Sequence, residues 1–140
     1  TVLPTGSFYS LTLGGSVGGS LSAALSSTGL YSLTKQDAGT WTLNGTGSNT
    51  YSGTTTISAG TLQVGNNGSS GQLGTGAVVD NATLVFNRSN DVTVANAISG
   101  TGIVTKQGSN TLTLTANGSY SGATHINGGT LVMQNDAPTT

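Results

Sequence analysis

Thr34-Lys35-Gln36-Asp37-Ala38-Gly39-Thr40-Trp41-Thr42-Leu43 returns later in the chain as Thr105-Lys106-Gln107-Gly108-Ser109-Asn110-Thr111-Leu112-Thr113-Leu114. Thr, Lys, Gln, Thr, Thr and Leu stand in the same places. The recurrence extends outward on both sides. Downstream, Tyr51-Ser52-Gly53-Thr54-Thr55-Thr56-Ile57 falls on Tyr120-Ser121-Gly122-Ala123-Thr124-His125-Ile126, and Gly60-Thr61-Leu62-Gln63-Val64 on Gly129-Thr130-Leu131-Val132-Met133. Upstream, Ala24-Leu25-Ser26-Ser27-Thr28-Gly29 matches Ala97-Ile98-Ser99-Gly100-Thr101-Gly102, and the match thins before that. Lys35 and Lys106 are 71 positions apart, Tyr51 and Tyr120 are 69 apart. A period of about 70 residues is long for one turn of a solenoid, so each copy is expected to hold about three.

The segments that recur read as strands. Thr40–Leu43, Thr54–Ile57 and Thr61–Val64 alternate or nearly alternate polar and apolar residues, and Gly or Asn closes each one. Between the copies, Ala77–Val79, Thr83–Phe86 and Val92–Val94 supply three more. Strands this short could build a sandwich, a barrel or a solenoid. Only the solenoid needs its sequence to recur, because it stacks equivalent turns so that like positions meet. No stretch keeps a helical apolar period. The expected fold is all-β: a β-solenoid of about six turns with Leu43, Ile57, Leu62, Val64, Leu84, Phe86, Leu114, Ile126, Leu131 and Met133 pointing inward. Residues 1–140 are read as a single β-helix fragment, with copy one over about 1–66, copy two over about 67–135 and a tail at 136–140.

Composition supports this reading. Charged residues make up 5% of the 140, with three Lys+Arg against four Asp+Glu and no glutamate, whereas disordered chains and most helical domains carry charge freely. Gly, Thr, Ser and Asn dominate, with β-branched apolar residues spaced among them. A net charge of −1 gives no basic face for phosphates, so nucleic acid is not expected as a partner. The absence of cysteine excludes disulfide staples and thiolate metal sites. The start Thr1-Val2-Leu3-Pro4 is not a signal peptide, and the chain is read as a piece of something larger.

The string Gly60-Thr61-Leu62-Gln63-Val64, preceded by Asn49-Thr50-Tyr51-Ser52-Gly53-Thr54-Thr55-Thr56-Ile57, resembles the autotransporter-associated β-strand repeat, also called the passenger-associated transport repeat. So does Ser99-Gly100-Thr101-Gly102-Ile103-Val104-Thr105-Lys106 leading into Thr111–Leu114. Trp41, where the pattern has an aliphatic residue, and His125, in the Thr column, depart from it. The resemblance implies a right-handed parallel β-helix, displayed outside a Gram-negative cell and carried there by a C-terminal outer-membrane barrel. It further implies that the repeat assists passenger translocation and folding, in a passenger of an adhesin or other virulence factor. Three roles stay open at this point: a scaffold for secretion, a module that binds host matrix or glycan, and a fragment of a carbohydrate-active enzyme. Association end to end through open strand edges is also expected.

Individual residues add little chemistry. His125 is the only histidine, with no second ligand near it in sequence. The aspartates Asp37, Asp80, Asp91 and Asp136 sit among turn residues, and no two are aligned across a cleft as paired-carboxylate hydrolysis requires. The expectation is no enzyme, no metal and no cofactor. Lys35 and Lys106 recur and would stack on one face. Tyr51 and Tyr120 recur also, as sugar-stacking rings or as packed turn anchors. Arg88 falls in a loop. These five are the surface contacts the sequence offers.

Overall fold

A computed structural model describes residues 9–25 and 30–134, so Ser26–Gly29, Asp136 and the tail lie outside the described residues. The chain winds as a coil of short strands. The first turn holds β1 (Tyr9–Leu13) and β2 (Gly18–Leu21), the second β3 (Leu30–Lys35) and β4 (Thr40–Leu43), the third β5 (Thr55–Ile57) and β6 (Thr61–Gly68). The fourth holds β7 (Val78–Asp80), β8 (Thr83–Arg88) and β9 (Val92–Val94), and the fifth β10 (Ile98–Ser99), β11 (Ile103–Gln107) and β12 (Thr111–Leu114). β13 (Thr124–Ile126) and β14 (Thr130–Met133) form the sixth. No helix occurs among the described residues.

Three sheets wall the coil, and every strand pair in them is parallel. The first face runs β1-β3-β5-β7-β10, the second β2-β4-β6-β8-β11-β13, and the third β9-β12-β14. A β-solenoid of about six turns is therefore the fold, as its strand pattern requires. Side chains alternate in and out along each strand, so stacked turns build columns. On the second face Leu43, Val64, Phe86, Lys106 and Ile126 form one column, and Trp41, Leu62, Leu84, Val104 and Thr124 another. The first column advances by 21, 22, 20 and 20 residues per turn.

These advances do not divide the sequence period evenly. Three turns use about 63 residues, so a copy that begins 71 positions later starts one side further round. Thr40–Leu43 is on the second face and its counterpart Thr111–Leu114 on the third. Thr55–Ile57 is on the first and Thr124–Ile126 on the second; Thr61–Val64 is on the second and Thr130–Met133 on the third. Equivalent positions of the two copies therefore do not share columns, which corrects the expectation that Lys35 and Lys106 stack. Lys35 ends β3 on the first face, whereas Lys106 lies in β11 on the second.

One core fills the coil. Leu33, Leu43, Tyr51, Ile57, Leu62, Leu84, Val104 and Leu112 are among its fully buried members, and Leu131 packs against it part-buried. Burial of such side chains contributes about 1.5–3 kcal/mol each. Val64, Phe86 and Leu114 are buried as well. Ile126 and Met133 are not: they are 55% and 39% exposed. Both occupy inward columns, but they lie in the last described turn, and no further described turn covers them.

Gly60 and Gly129 show why the motif Gly-Thr-Leu must start with glycine. Both adopt a left-handed backbone, with φ of 67° and 65°, at the corner that leads into β6 or β14. A Cβ at either would run into carbonyl oxygens of the turn below, those of Asp37 and Gly39 or of Gly108 and Asn110.

Candidate functional site: buried cations at the corners

The three Lys and Arg side chains of the sequence are all buried. The expectation that Lys35, Lys106 and Arg88 reach outward is corrected by the structure, and the reason lies at the corners. Where one side of the coil bends into the next, consecutive peptide carbonyls lose their ladder partners and need donors. Lys35 Nζ donates to the carbonyls of Gln36 (2.7 Å) and Asp37 (2.6 Å), and across to Ala59 of the following turn (2.9 Å). Lys106 Nζ donates to the carbonyls of Gln107 (2.7 Å) and Gly108 (2.9 Å), to Asn110 Oδ1 (2.8 Å), and across to Gly128 of the following turn (3.3 Å). Each ammonium thus closes its own corner and ties it to the next one.

The two corners share their backbone form. Asp37 and Gly108, each two residues after the lysine, take left-handed φ values of 62° and 79°. Asp37 tolerates this less readily than glycine, and its carboxylate compensates by accepting a bond from Gly15 N at 2.9 Å. Burial pushes both lysines below the ordinary ammonium range, opposed by the charge of Asp37 at Lys35 and of Asp91 at Lys106. A buried charge is tolerated when charge-assisted hydrogen bonds replace its water, and the carbonyl cages supply them.

Arg88 serves a third corner. Its guanidinium donates to the carbonyls of Gly71 and Ser69 (the latter at 2.6 Å) in the turn below, and to Asn90 Oδ1 at 2.9 Å. Burial lowers its affinity for the proton also. The stretch it holds, Ser69–Gly71, directly follows β6, whose register with β8 shifts between Val64 and Gly68.

The two tyrosines are local anchors. Tyr51 Oη and Thr55 Oγ1 lie 2.7 Å apart, and Tyr120 Oη and Thr124 Oγ1 2.8 Å apart. Tyr51 is fully buried, its ring against Gly74 of the next turn, which corrects its assignment as a surface contact. Tyr120 is half-buried beside the core. The recurring Tyr-Ser-Gly-x-Thr therefore builds the same bend at two different corners.

Sequence reasoning missed Asp80. It ends β7 in the column that runs Leu13–Lys35–Ile57–Asp80 and is fully buried. Oδ1 accepts from Ala82 N at 3.1 Å, whereas Oδ2 has no hydrogen-bond partner. Its alignment with inward positions of other turns was the available signal. His125 is exposed, at the end of the column Thr42–Gln63–Val85–Thr105–His125. Among the described residues no three His, Asp or Glu gather where they could hold a metal ion.

The outcome is a repeat solenoid in which the chemistry-bearing side chains are spent on joining turns. A family model described as the passenger-associated transport repeat matches residues 33–64 and 104–133. Each match opens just before a corner lysine and closes within the strand that begins Gly-Thr-Leu or at its end, so the model matches the chain twice. Over 91 residues, 65% of the chain, it is 44% identical to "Adhesin BmaC autotransporter" of Brucella suis biovar 1 (strain 1330). Over 67 residues, 47% of the chain, it is 40% identical to "Uncharacterized protein YuaQ" of Escherichia coli (strain K12). The matched regions span only 2% and 5% of those proteins. No solved structure matches the chain.

Proposed function

We propose that this segment is a scaffold of an autotransporter passenger whose turn-by-turn folding supports translocation and display at the bacterial surface. The observation that carries the reading is the cross-turn bond of each corner lysine, Lys35 to Ala59 and Lys106 to Gly128. A corner becomes fully satisfied only when its neighbour docks, so each added turn lowers the free energy of the one before. A segment folding on one side of a membrane in this way would be biased against sliding back. The passenger's remainder and a C-terminal outer-membrane barrel are its expected partners in the parent chain. Apolar side chains on the last described turn, Ile126, Val132 and Met133, suit another turn of the parent or a second copy stacked end to end.

Deletion of residues 30–135 from the parent tests the reading. Loss of surface display with degradation of the remaining passenger is the expected result; normal display would overturn it. A second reading, a module that binds host matrix or glycan, is favoured by the relative named as an adhesin. We read no catalytic role, because the buried lysines, Arg88 and Asp80 are closed off from any substrate.

A further inference from the structure

On its third side the coil changes character between the third and fourth turns. β9 pairs with β12 above it, but the segment below, Gly71–Thr75, is not a strand. Thr115 N donates to Val94 O at 3.0 Å, so the peptide groups of Val94 point up toward β12. Peptide direction alternates along a parallel strand, which turns the N–H and C=O of Thr93 down into the gap. A cleft of about 380 Å³ opens there. Leu73 and Val92, lying over the buried Val64 and Phe86, give it an apolar floor; Ser48, Gln72 and Thr93 give it a polar rim.

Both ends of the cleft are bridged. At one end Arg88 holds the carbonyls of Ser69 and Gly71; at the other Asn96 Nδ2 donates to the carbonyls of Gly74 (2.8 Å) and Gly76 (2.6 Å). An extended peptide adding to the edge of β9 would have to run through these bridges, so strand addition is blocked. The occupant must be compact. Its size class is that of small-molecule sites, about 300–1,000 Å³. No ionisable side chain lines the cleft, so a charged ligand would meet no counter-charge. A purely apolar ligand would strip water from the rim and leave its polar groups unpaired. An uncharged sugar ring has what the walls ask for: C–H patches for the floor and hydroxyls for the amide, hydroxyl and peptide groups of the rim.

We propose that this cleft is a binding site for the terminal, uncharged pyranose unit of a glycan. The site rests on the adhesive reading and deepens it, and it is independent of the translocation reading, since display could be intact with the cleft empty.

The test is saturation-transfer NMR on the 140-residue chain. The probes are methyl glycosides of glucose, galactose, mannose and N-acetylglucosamine, with sialic acid and phenol as charged and apolar comparisons. At least one neutral glycoside should give transfer that Thr93→Trp abolishes by filling the cleft. Gln72→Ala should weaken the same glycoside about fivefold, the loss of one net hydrogen bond. The Gln72 side chain is part-exposed, and the bond that holds the fold here, Asn49 Nδ2 to the Gln72 carbonyl, is made by backbone that the variant keeps, so its melting should match the parent chain. Silence from every neutral glycoside, a response only to sialic acid or phenol, or neutral binding unchanged in both variants would each overturn the assignment.

Discussion

At the scale of single residues, Asp80 carries the one buried polar side-chain atom without a hydrogen-bond partner among the described residues. Ile57 lies below it in the same column and Gly102 lies against its carboxyl from above, and neither brings a charge. Burial holds the carboxyl above the ordinary carboxylate value, against the backbone N–H groups of Ala82 and Leu84, which favour the anion. The folded chain therefore binds this proton more tightly than the unfolded chain does. Asp80's contribution is fully present in acid, below the unfolded value, and is lost as pH rises through the folded one. Inside that window the slope reaches up to about 1.4 kcal/mol per pH unit. Urea unfolding followed from acid to neutral pH should show this loss, and Asp80→Asn should flatten it. Equal pH profiles for the two chains would mean that the carboxyl is hydrated.

At the scale of elements, the unit of construction is strand, corner, strand, and the corner is held by a cation or an amide. Lys35→Met keeps the apolar stem but strips donors from the carbonyls of Gln36, Asp37 and Ala59. The expected cost is about 2–4 kcal/mol, read as a lower urea midpoint. A solvated surface lysine would change stability by no more than about 0.5 kcal/mol. Asparagine does comparable work on the third side: Asn49 accepts from Leu25 N at 2.7 Å and donates to Gln72 O at 2.6 Å, stitching three turns where no strand forms. Strand positions were readable from alternation, because polar and apolar residues take opposite faces of a pleat. The corner roles were not. A lysine in a run of Thr and Gln reads as a wet residue, and only the carbonyls gathered by the bend make its burial tolerable. Arg88 was hidden for the same reason, since its partners Ser69 and Gly71 are set 19 and 17 residues earlier.

At the scale of the whole molecule, the repeat and the turn are different periods. The motif order Lys, Thr-Leu, Tyr-Ser-Gly, Gly-Thr-Leu was legible as a duplication and led to a solenoid. Its phase was not legible, because the number of residues in a turn depends on corner lengths that sequence similarity does not report. The same motif works on any side because all three corners pose the same problem of unpaired carbonyls. A third copy following the same advance would again start one side further round, so a feature tied to the motif would spiral about the axis instead of lining one face.

The most direct measurement is the pattern of interstrand backbone contacts by NMR on the isotope-labelled chain. The coil described here predicts parallel contacts joining Val64, Phe86 and Lys106 in one sheet, with Leu112 beside both Val92 and Leu131 in another. Thr111–Leu114 found in the sheet of Thr40–Leu43, or any antiparallel pairing among these strands, would contradict it.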